Sequence, residues 1–183
     1  TLDPVVQESA EHAVTTTMKR LTKSDKHLQV GMVITDKFTG GVAAMVGDKV
    51  PSYDGYNRAI EIRRPIGSLV KPFVYATALN EYKKFNLETP LDDQPITLSN
   101  GQGKTWSPKN FDHKFSGQVP LLTALKNSMN VPTVNLGLAV GVGAVASTLD
   151  AAGWRESIPE YPSMFLGALN GSPLMVAQVY QTL

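Results

Sequence analysis

Hydrophobic and polar residues recur near the start of the chain with two different periods, which predict one helix and two strands. Asp3 before Pro4 is typical of a helix start, and one face of the following segment repeats every three or four residues. The residues of that predicted buried face are Val6, Ala10, Ala13, Thr17 and Leu21. Apolar positions then alternate from Leu28 to Ile34, a polar turn covers 37–41, and a second apolar run covers 42–46. We therefore expect an amphipathic helix followed by a β-hairpin.

The rest of the chain combines helical periodicity with one long polar stretch. An apolar stripe predicts a buried helix that begins near Ser68 and carries Val70, Phe73, Val74, Thr77 and Ala78 on its inner face. Residues 86–118 are rich in Pro, Gly, Asp, Asn and Ser and predict a long irregular region. Residues 119–183 are predicted to be mostly helical, with a last helix that includes 177–183. Because strands and helices do not alternate regularly, the pattern favours a mixed α+β fold over a doubly wound one.

The start of the buried helix carries residue types suited to nucleophilic catalysis. Ser68 precedes Lys71 by three positions, which places both residues on one face of a helix. Gly67 allows a sharp turn just before Ser68, and Pro72 is tolerated in a first helical turn. Burial disfavours a charged amine, so a buried Lys71 is able to accept the Ser68 proton as a general base.

The spacing Ser-x-x-Lys is not specific on its own, because chance supplies such a match in a chain of this length. A capping serine followed by a solvated lysine is the ordinary explanation. A second element changes the picture: the helical run 121–127 ends at Ser128-Met129-Asn130, and Pro132 prevents simple continuation. A hydroxyl and an amide two residues apart at such a break can face one cleft. A turn or a helix cap again remains the alternative.

The order of the two elements, Ser-x-x-Lys at 68–71 and Ser-x-Asn at 128–130, resembles the transpeptidase domain of class A, bifunctional penicillin-binding proteins. Further segments that resemble this family are Thr1–Pro4, Thr35–Gly47, Trp106–Asn110 and Phe165–Leu169. Serine β-lactamases lack most of them. The resemblance covers essentially the whole chain.

The resemblance implies an α+β penicillin-binding and serine β-lactamase-like transpeptidase fold, with an antiparallel sheet and a helical subdomain. It implies a peptidoglycan DD-transpeptidase in which Ser68 attacks the carbonyl between the last two D-alanines of a stem peptide and Lys71 accepts the proton. Ser128 then passes a proton towards the leaving nitrogen, and Asn130 holds the donor peptide and contacts Lys71. β-Lactams imitate D-Ala-D-Ala and leave Ser68 stably acylated.

The third element of the family, Lys-Thr-Gly, does not occur among the 183 residues. In the family this triplet follows the Ser-x-Asn element on a sheet strand and binds the substrate carboxylate. We therefore expect residues 1–183 to be the N-terminal part of a single transpeptidase domain whose C-terminal part is absent from this chain. The remainder of the domain, in the same chain or as a second one, is then a necessary partner, and the fragment alone is expected to be incomplete.

Composition limits the kinds of partner and cofactor that this chain is expected to bind. A net charge of +1 without a basic run gives no support to nucleic-acid binding, and the absence of cysteine excludes disulfides and thiol catalysis. His12, His27 and His113 are scattered, so neither a metal site nor any other cofactor is expected. The chain contains no signal peptide and no apolar run of membrane-spanning length. The resemblance therefore implies an upstream anchor in the cell inner membrane, with this domain on the periplasmic side.

Two other functions are compatible with the same motifs. A β-lactam sensor or binding module keeps the nucleophile without cross-linking, and a β-lactamase-type hydrolase releases the acyl group to water. Residues 141–146 match a loose dinucleotide fingerprint, but a helix end followed by a new helix explains them better, and no nucleotide site is expected. Trp106 and Asn110 either line the substrate cleft or serve packing and loop capping.

Overall fold

The structure, a computed structural model, describes residues 2–99 and 105–183. These residues form two compact units. The first contains the residues up to Arg64 together with Ala152–Trp154 and Gly171–Leu183, and the second contains Pro65–Ala151 and Arg155–Asn170. That all 183 residues belong to a single transpeptidase domain stays a prediction.

The secondary structure mixes helices with short strands. The α-helices are α1 (Pro4–Leu21), α2 (Lys71–Asn80), α3 (Leu121–Lys126), α4 (Asn130–Val140), α5 (Val142–Ala151) and α6 (Pro173–Tyr180). Two 3₁₀ helices occupy Gly67–Val70 and Pro162–Leu166. The strands are β1 (Met32–Thr35), β2 (Val42–Val46), β3 (Arg64–Pro65), β4 (Pro90–Asp93), β5 (Leu98–Ser99), β6 (Thr105–Trp106), β7 (Gly117–Pro120) and β8 (Asn170–Gly171). The predicted α+β class is confirmed.

The first unit is built from α1 packed on the β1–β2 hairpin. Asp3 caps α1 by accepting hydrogen bonds from the backbone N–H groups of Val5 and Val6 at 2.9 and 3.2 Å, as its position before Pro4 predicted. The strands β1 and β2 are antiparallel, with Met32 opposite Val46. The prediction of a hairpin is therefore confirmed, although its first strand begins at Met32 and not at Leu28.

The buried face of α1 differs from the predicted one. Its buried residues are Ala10, Val14 and Met18, which form one core cluster with Ala44 and Val46 of the hairpin. Ala13, Thr17 and Leu21 are exposed, so this part of the prediction was wrong. The physical reason is that Val14 and Met18 offer more apolar surface than Ala13 and Thr17, and a spacing of four residues keeps them in one row along the helix.

The second unit is organised around α2, which packs against α3, α4, α5 and the second 3₁₀ helix. Every predicted core position of this helix is buried, as are Tyr75 and Lys71. Each fully buried large apolar side chain contributes about 1.5–3 kcal/mol, so α2 is held firmly in place. On α4, a side chain at Gly137 would overlap the buried ring of Phe165, which shows how closely the second 3₁₀ helix approaches.

Residues 86–118 contain short strands that the sequence pattern did not predict. β4 and β7 pair in antiparallel fashion with Pro90 opposite Pro120, and β5 pairs with β6. These strands have only two to four residues each, too few for an alternation of apolar residues to mark them. Residues 100–104 of this region lie outside the described residues.

Two expectations concern helix ends. The Gly141 region joins the end of α4 to the start of α5 with a φ of +91° at Gly141, which confirms the helix-to-helix interpretation of residues 141–146. The last helix, α6, ends at Tyr180 and is followed by a turn, whereas the pattern predicted helix up to residue 183.

No single helix of the described residues is long and apolar enough to cross a membrane. Only α4 and α5 together pass on length and composition, and they are bent by 93°.

Candidate active site

Ser68 lies in the first 3₁₀ helix, and the turn before it is fixed by a second segment of the same unit. The N–H of Gly67 donates to the carbonyl of Gly167 at 3.1 Å, and the N–H of Ile66 donates to the carbonyl of Leu169 at 2.9 Å. Gly67 and Gly167 both have positive φ, of +60° and +80°. A Cβ atom at Gly167 would overlap the backbone of Gly67, so only glycine permits this approach. The segment 165–169 therefore sets the backbone position of Ser68.

Ser68 and Lys71 differ sharply in burial. Ser68 is exposed, whereas Lys71, the first residue of α2, is only 1% exposed. Side chains three apart in a 3₁₀ helix eclipse each other, so the two residues lie on the same side of the turn. The alternative of a solvated lysine is wrong, because the hydrophobic packing of α2 carries Lys71 into the interior of the unit.

The Lys71 ammonium group is hydrogen-bonded to the Ser-x-Asn element. Its Nζ donates to Ser128 O at 2.6 Å, to Ser128 Oγ at 3.1 Å and to Asn130 Oδ1 at 2.7 Å. These three acceptors match the three N–H groups of an ammonium. Within the described part of the chain, no hydrogen bond joins Lys71 to Ser68 Oγ, because the ammonium has no further donor to offer.

Burial changes the acid–base behaviour of Lys71. Desolvation lowers the pKa of its amine from 10.5 to about 8. At pH 7 roughly a tenth of such a lysine is neutral, compared with less than about a thousandth for an ordinary lysine. A neutral amine keeps two N–H groups, so one of the three acceptors is released and a lone pair becomes available for a proton.

Ser128 occupies an unusual backbone position at the end of α3. Its φ is +51°, in the left-handed region where glycine is the usual residue. The Ser128 N–H donates to Leu125 O at 2.9 Å and the Met129 N–H donates to Ala124 O at 2.9 Å, the paired bonds of a Schellman helix end. A serine here costs about 1 kcal/mol relative to glycine, and it places a hydroxyl within reach of Lys71.

The carbonyl of Met129 is fixed from inside the unit. The Thr133 hydroxyl donates to Met129 O at 2.6 Å and accepts from the buried Tyr75 hydroxyl at 3.0 Å. Burial raises the pKa of Tyr75 to about 12, although the bond to Thr133 opposes the shift. Tyr75 therefore stays protonated and donates throughout the working pH range. The turn that carries Ser128 is thus anchored to α2 at Tyr75 as well as at Lys71.

Asn130 begins α4 and connects Lys71 to the segment 106–110. Its Oδ1 accepts from Lys71, and its Nδ2 donates to Lys109 O at 2.8 Å. The backbone N–H groups of Asn130 and Val131 donate to Oδ1 of Asn110 at 3.0 and 3.1 Å. Of the alternative interpretations of the Ser-x-Asn element, the turn describes Ser128, which lies in the turn that ends α3, whereas Asn130 does not cap α4, because Met129 is its N-cap residue.

The structure therefore brings together three of the four predicted site residues by direct hydrogen bonds, namely Lys71, Ser128 and Asn130. Ser68 makes no hydrogen bond to these three side chains in the described residues; it lies three positions before Lys71, whose backbone N–H donates to Ser68 O. Asn110 is a capping residue, as one of the two sequence interpretations held, and it caps a helix that begins twenty residues later. Trp106 is partly buried in β6, opposite Leu98. Asp93, which is buried and accepts from Asn110 Nδ2 at 2.6 Å, is not predicted from the sequence, because adjacent aspartates such as Asp92 and Asp93 are more often found in turns.

An open cavity lies beside this site and leaves room for a ligand. Its volume is about 410 Å³, and Ser128, Met129, Asn127 and Asn110 line it together with Phe111, whose side chain is 99% exposed. Among residues 2–99 and 105–183, no group of three or more His, Cys, Asp or Glu side chains is arranged to hold a metal ion. An accessible hydroxyl beside a buried amine of lowered pKa is suited to acyl transfer.

Known proteins are similar to this chain in sequence and in fold. Residues 30–182 match the family model of the penicillin binding protein transpeptidase domain. Penicillin-binding protein 1B of Vibrio cholerae is 45% identical over 184 residues, covering 100% of this chain and 24% of the relative. The chain thus spans about a quarter of the length of such curated relatives.

Two solved structures of penicillin-binding proteins have a fold similar to that of this chain. Penicillin-Binding Protein 1A from Haemophilus influenzae superposes with a TM-score of 0.78 at 28% identity, over 84% of this chain and 23% of that chain. PonA1 from Mycobacterium tuberculosis, in complex with penicillin V, superposes with a TM-score of 0.79 over 99% of this chain and 49% of that chain. At 24% identity, this second likeness shows the fold alone.

Proposed function

The chain belongs to the transpeptidase domain family of class A penicillin-binding proteins, and from that premise we propose that it carries the nucleophile of a peptidoglycan DD-transpeptidase. The donor substrate is a stem peptide that ends in D-Ala-D-Ala, and the intermediate is an ester of Ser68. The observation that carries the proposal is the buried Lys71, whose amine contacts both Ser128 and Asn130.

In the proposed acylation step, neutral Lys71 accepts the hydroxyl proton of Ser68 while Ser68 Oγ attacks the carbonyl carbon between the two D-alanines. The C–N bond then breaks, and Ser128 passes a proton from Lys71 to the leaving nitrogen. D-Alanine departs with that proton. The hydrogen bond from Lys71 Nζ to Ser128 Oγ supports this route, because it is the link that a proton relay needs.

In the second step an amine from a neighbouring stem peptide attacks the ester. A new peptide bond forms, the Ser68–acyl bond breaks, and the proton lost by the amine returns to Ser68 through Lys71. The Ser68 N–H is proposed as one donor to the carbonyl oxygen in both steps, and in other enzymes the loss of one such donor costs about 3 kcal/mol. Asn130 keeps one N–H of its Nδ2 group for the donor peptide, since the other donates to Lys109 O.

The same chemistry is proposed to make the protein a target of β-lactams, which acylate Ser68. For the intact protein we propose an upstream membrane anchor and glycosyltransferase domain, with this part on the periplasmic side of the inner membrane. We propose that the Lys-Thr-Gly element of the family, absent from these residues, is supplied by sequence outside them. Experiments therefore require the full-length protein.

The test is cross-linking by the full-length protein of a peptidoglycan substrate with D-Ala-D-Ala stems, followed through the release of D-alanine and the formation of cross-linked peptides. Ser68→Ala is expected to abolish both products and to leave thermal unfolding nearly unchanged. Ser24→Ala, in the first unit, is the matched serine control and is expected to behave as the wild type. Cross-linking at wild-type rate by Ser68→Ala would remove this serine from its proposed role.

The fate of a bound penicillin separates the remaining alternatives. A transpeptidase is expected to keep a fluorescent penicillin attached for many minutes and to form cross-links when no drug is present. Release of the label within seconds indicates a β-lactamase-type hydrolase. A long-lived label without any cross-linking activity indicates a sensor or binding module.

A further inference from the structure

Two buried polar side chains next to the proposed site have no role in the acyl transfer described above. Asp93 is fully buried and Asn110 is only 5% exposed, although both residue types are usually found at the surface. Buried polar groups are costly unless their hydrogen bonds are satisfied. Their contacts therefore indicate what keeps them there.

The side chain of Asn110 uses its full hydrogen-bonding capacity. Its Oδ1 accepts from the backbone N–H groups of Asn130 and Val131 at 3.0 and 3.1 Å. Its Nδ2 donates to Asp93 Oδ1 at 2.6 Å and to Lys114 O at 2.9 Å. A side-chain amide has two acceptor and two donor positions, and all four are occupied here.

These contacts supply the cap that α4 lacks in its own sequence. The first N–H groups of a helix have no partner within the helix, and the side chain of Met129, the N-cap residue, makes no capping bond. Asn110 provides the missing acceptor from another segment. Because Asn130 is the first residue of α4, this cap fixes the helix end that presents Oδ1 to Lys71 Nζ at 2.7 Å.

Asp93 determines which way round the Asn110 amide lies. One carboxyl oxygen accepts from Asn110 Nδ2, and the other accepts from the Ser116 N–H at 2.8 Å. A flipped amide would place its NH₂ group against the two N–H donors of α4 and its oxygen against the Asp93 carboxyl. The carboxyl of Asp93 and the carbonyl of Lys114 therefore select the orientation in which Oδ1 faces α4.

We propose that Asp93 and Asn110 form a positioning pair that holds Asn130, and through it Lys71 and Ser128, in the arrangement required for acylation. Neither residue touches the reacting atoms. The inference rests on the proposed acylation of Ser68, and it assigns to Asp93 and Asn110 a task beyond stability of the fold. Small displacements of catalytic groups commonly cost about 10- to 100-fold in rate.

The test measures acylation of the full-length protein by a fluorescent penicillin, with the rate constant of acylation separated from the dissociation constant of the initial complex. Asn110→Leu removes the cap at nearly constant volume. It is expected to slow acylation about 10- to 100-fold with little change in initial binding, at a temperature where circular dichroism shows the variant folded. A rate within twofold of wild type overturns the inference.

A matched control separates positioning from general destabilisation. Thr148→Val removes a hydrogen bond of 2.8 Å to Thr77 Oγ1 in the same unit, with no contact to Asn130 or Lys71. It is expected to lower the melting temperature while leaving the acylation rate unchanged. If Thr148→Val slows acylation as much as Asn110→Leu does, the effect is general and the inference fails.

An exchange of the two residues provides a rescue that does not depend on the leucine variant. Asn110→Asp alone places two carboxyl groups at a contact now 2.6 Å long, so acylation is expected to be slow. Adding Asp93→Asn restores one amide and one carboxyl with the cap retained. Only the donor to Lys114 O is then missing, so part of the lost rate is expected to return. No recovery in the double variant overturns the inference. If the wild type itself is not acylated, the proposed function fails and not only this extension of it.

Discussion

A negative charge introduced at Asn130 offers a quantitative test of the role proposed for Lys71. Asn130→Asp is nearly isosteric and places a carboxylate oxygen where Oδ1 now accepts from Lys71 Nζ at 2.7 Å. An opposite charge at such a distance stabilises the ammonium and raises its pKa by about 1–3 units. From its wild-type value of about 8, the pKa of Lys71 is then expected to lie above 9.

The rate of acylation follows the neutral fraction of the lysine if Lys71 is the general base. For the wild type, a pKa of about 8 predicts a rate that rises about tenfold from pH 6 to pH 7, still rises to pH 8, and levels off above pH 9. For Asn130→Asp the rate at pH 7 falls at least about tenfold, and the rise continues beyond pH 9. The rate rises with pH because the charged amine of Lys71 cannot accept the proton of Ser68, whereas the neutral amine can.

The assay is the second-order rate constant of acylation by a fluorescent penicillin between pH 6 and pH 9.5, measured on the full-length protein. Asn130→Ala is the control, because it removes the amide without adding charge. Its rates are expected to be lower at every pH without an upward shift of the midpoint. A wild-type profile that is flat across this range, or an Asn130→Asp midpoint at the wild-type pH, refutes the assignment of Lys71 as the base.

Further predictions concern glycine, serine and tyrosine positions around the site. Gly167 has a φ of +80° and lies against the backbone of Gly67, so Gly167→Ala is expected to lower the acylation rate more than tenfold. Gly143 has open space for a side chain, so Gly143→Ala should leave the acylation rate unchanged and stabilise its helix by up to about 1 kcal/mol. Ser128→Gly is expected to unfold at a higher temperature than Ser128→Ala, by the equivalent of about 1 kcal/mol, since φ is +51°; the reverse order contradicts the left-handed backbone. Tyr75→Phe should destabilise the unit by about 1 kcal/mol, while exposed Tyr82→Phe should have no effect on thermal unfolding, and equal melting temperatures would refute the buried hydrogen bond.

The sequence was most informative where local chemistry determines local structure. Asp3 before Pro4, and Gly67 before Ser68, behave as their residue types require, and the apolar stripe predicted the buried face of α2. In each case the sequence signal lies in residues a few positions apart, although the segments that fix Gly67 and cover α2 come from elsewhere in the chain. The family resemblance, carried by two short motifs and their order, extended this local information to the fold class, which the solved structures confirm.

The features that the sequence did not predict depend on contacts between distant segments. β4 and β7 are short, and their paired residues lie far apart in sequence, from Asp93 opposite Gly117 to Pro90 opposite Pro120, so the pairing leaves no periodic signal. The buried position of Asp93 depends on that pairing, and the cap from Asn110 to α4 depends on Asp93. The buried face of α1 was predicted wrongly for a local reason, because Val14 and Met18, which pack on the hairpin, offer more apolar surface than Ala13 and Thr17. An asparagine directly before the helix that it caps can be recognised from the sequence, whereas Asn110 caps a helix that begins twenty residues later and carries no such signal.

Ser68 precedes Lys71 by three residues and Ser128 accepts a hydrogen bond from its buried amine, and identifying which of these two serines becomes acylated is the most direct test of the proposed mechanism. Trypsin is expected to separate them, because it does not cleave before proline and so releases Ser68 in a peptide of residues 64–83 and Ser128 in one of residues 127–155. After brief treatment of the full-length protein with penicillin, mass spectrometry should find the added mass on the 64–83 peptide, at Ser68. An adduct at Ser128, the serine whose hydroxyl is hydrogen-bonded to Lys71 in the structure, would contradict the assignment of Ser68 as the nucleophile.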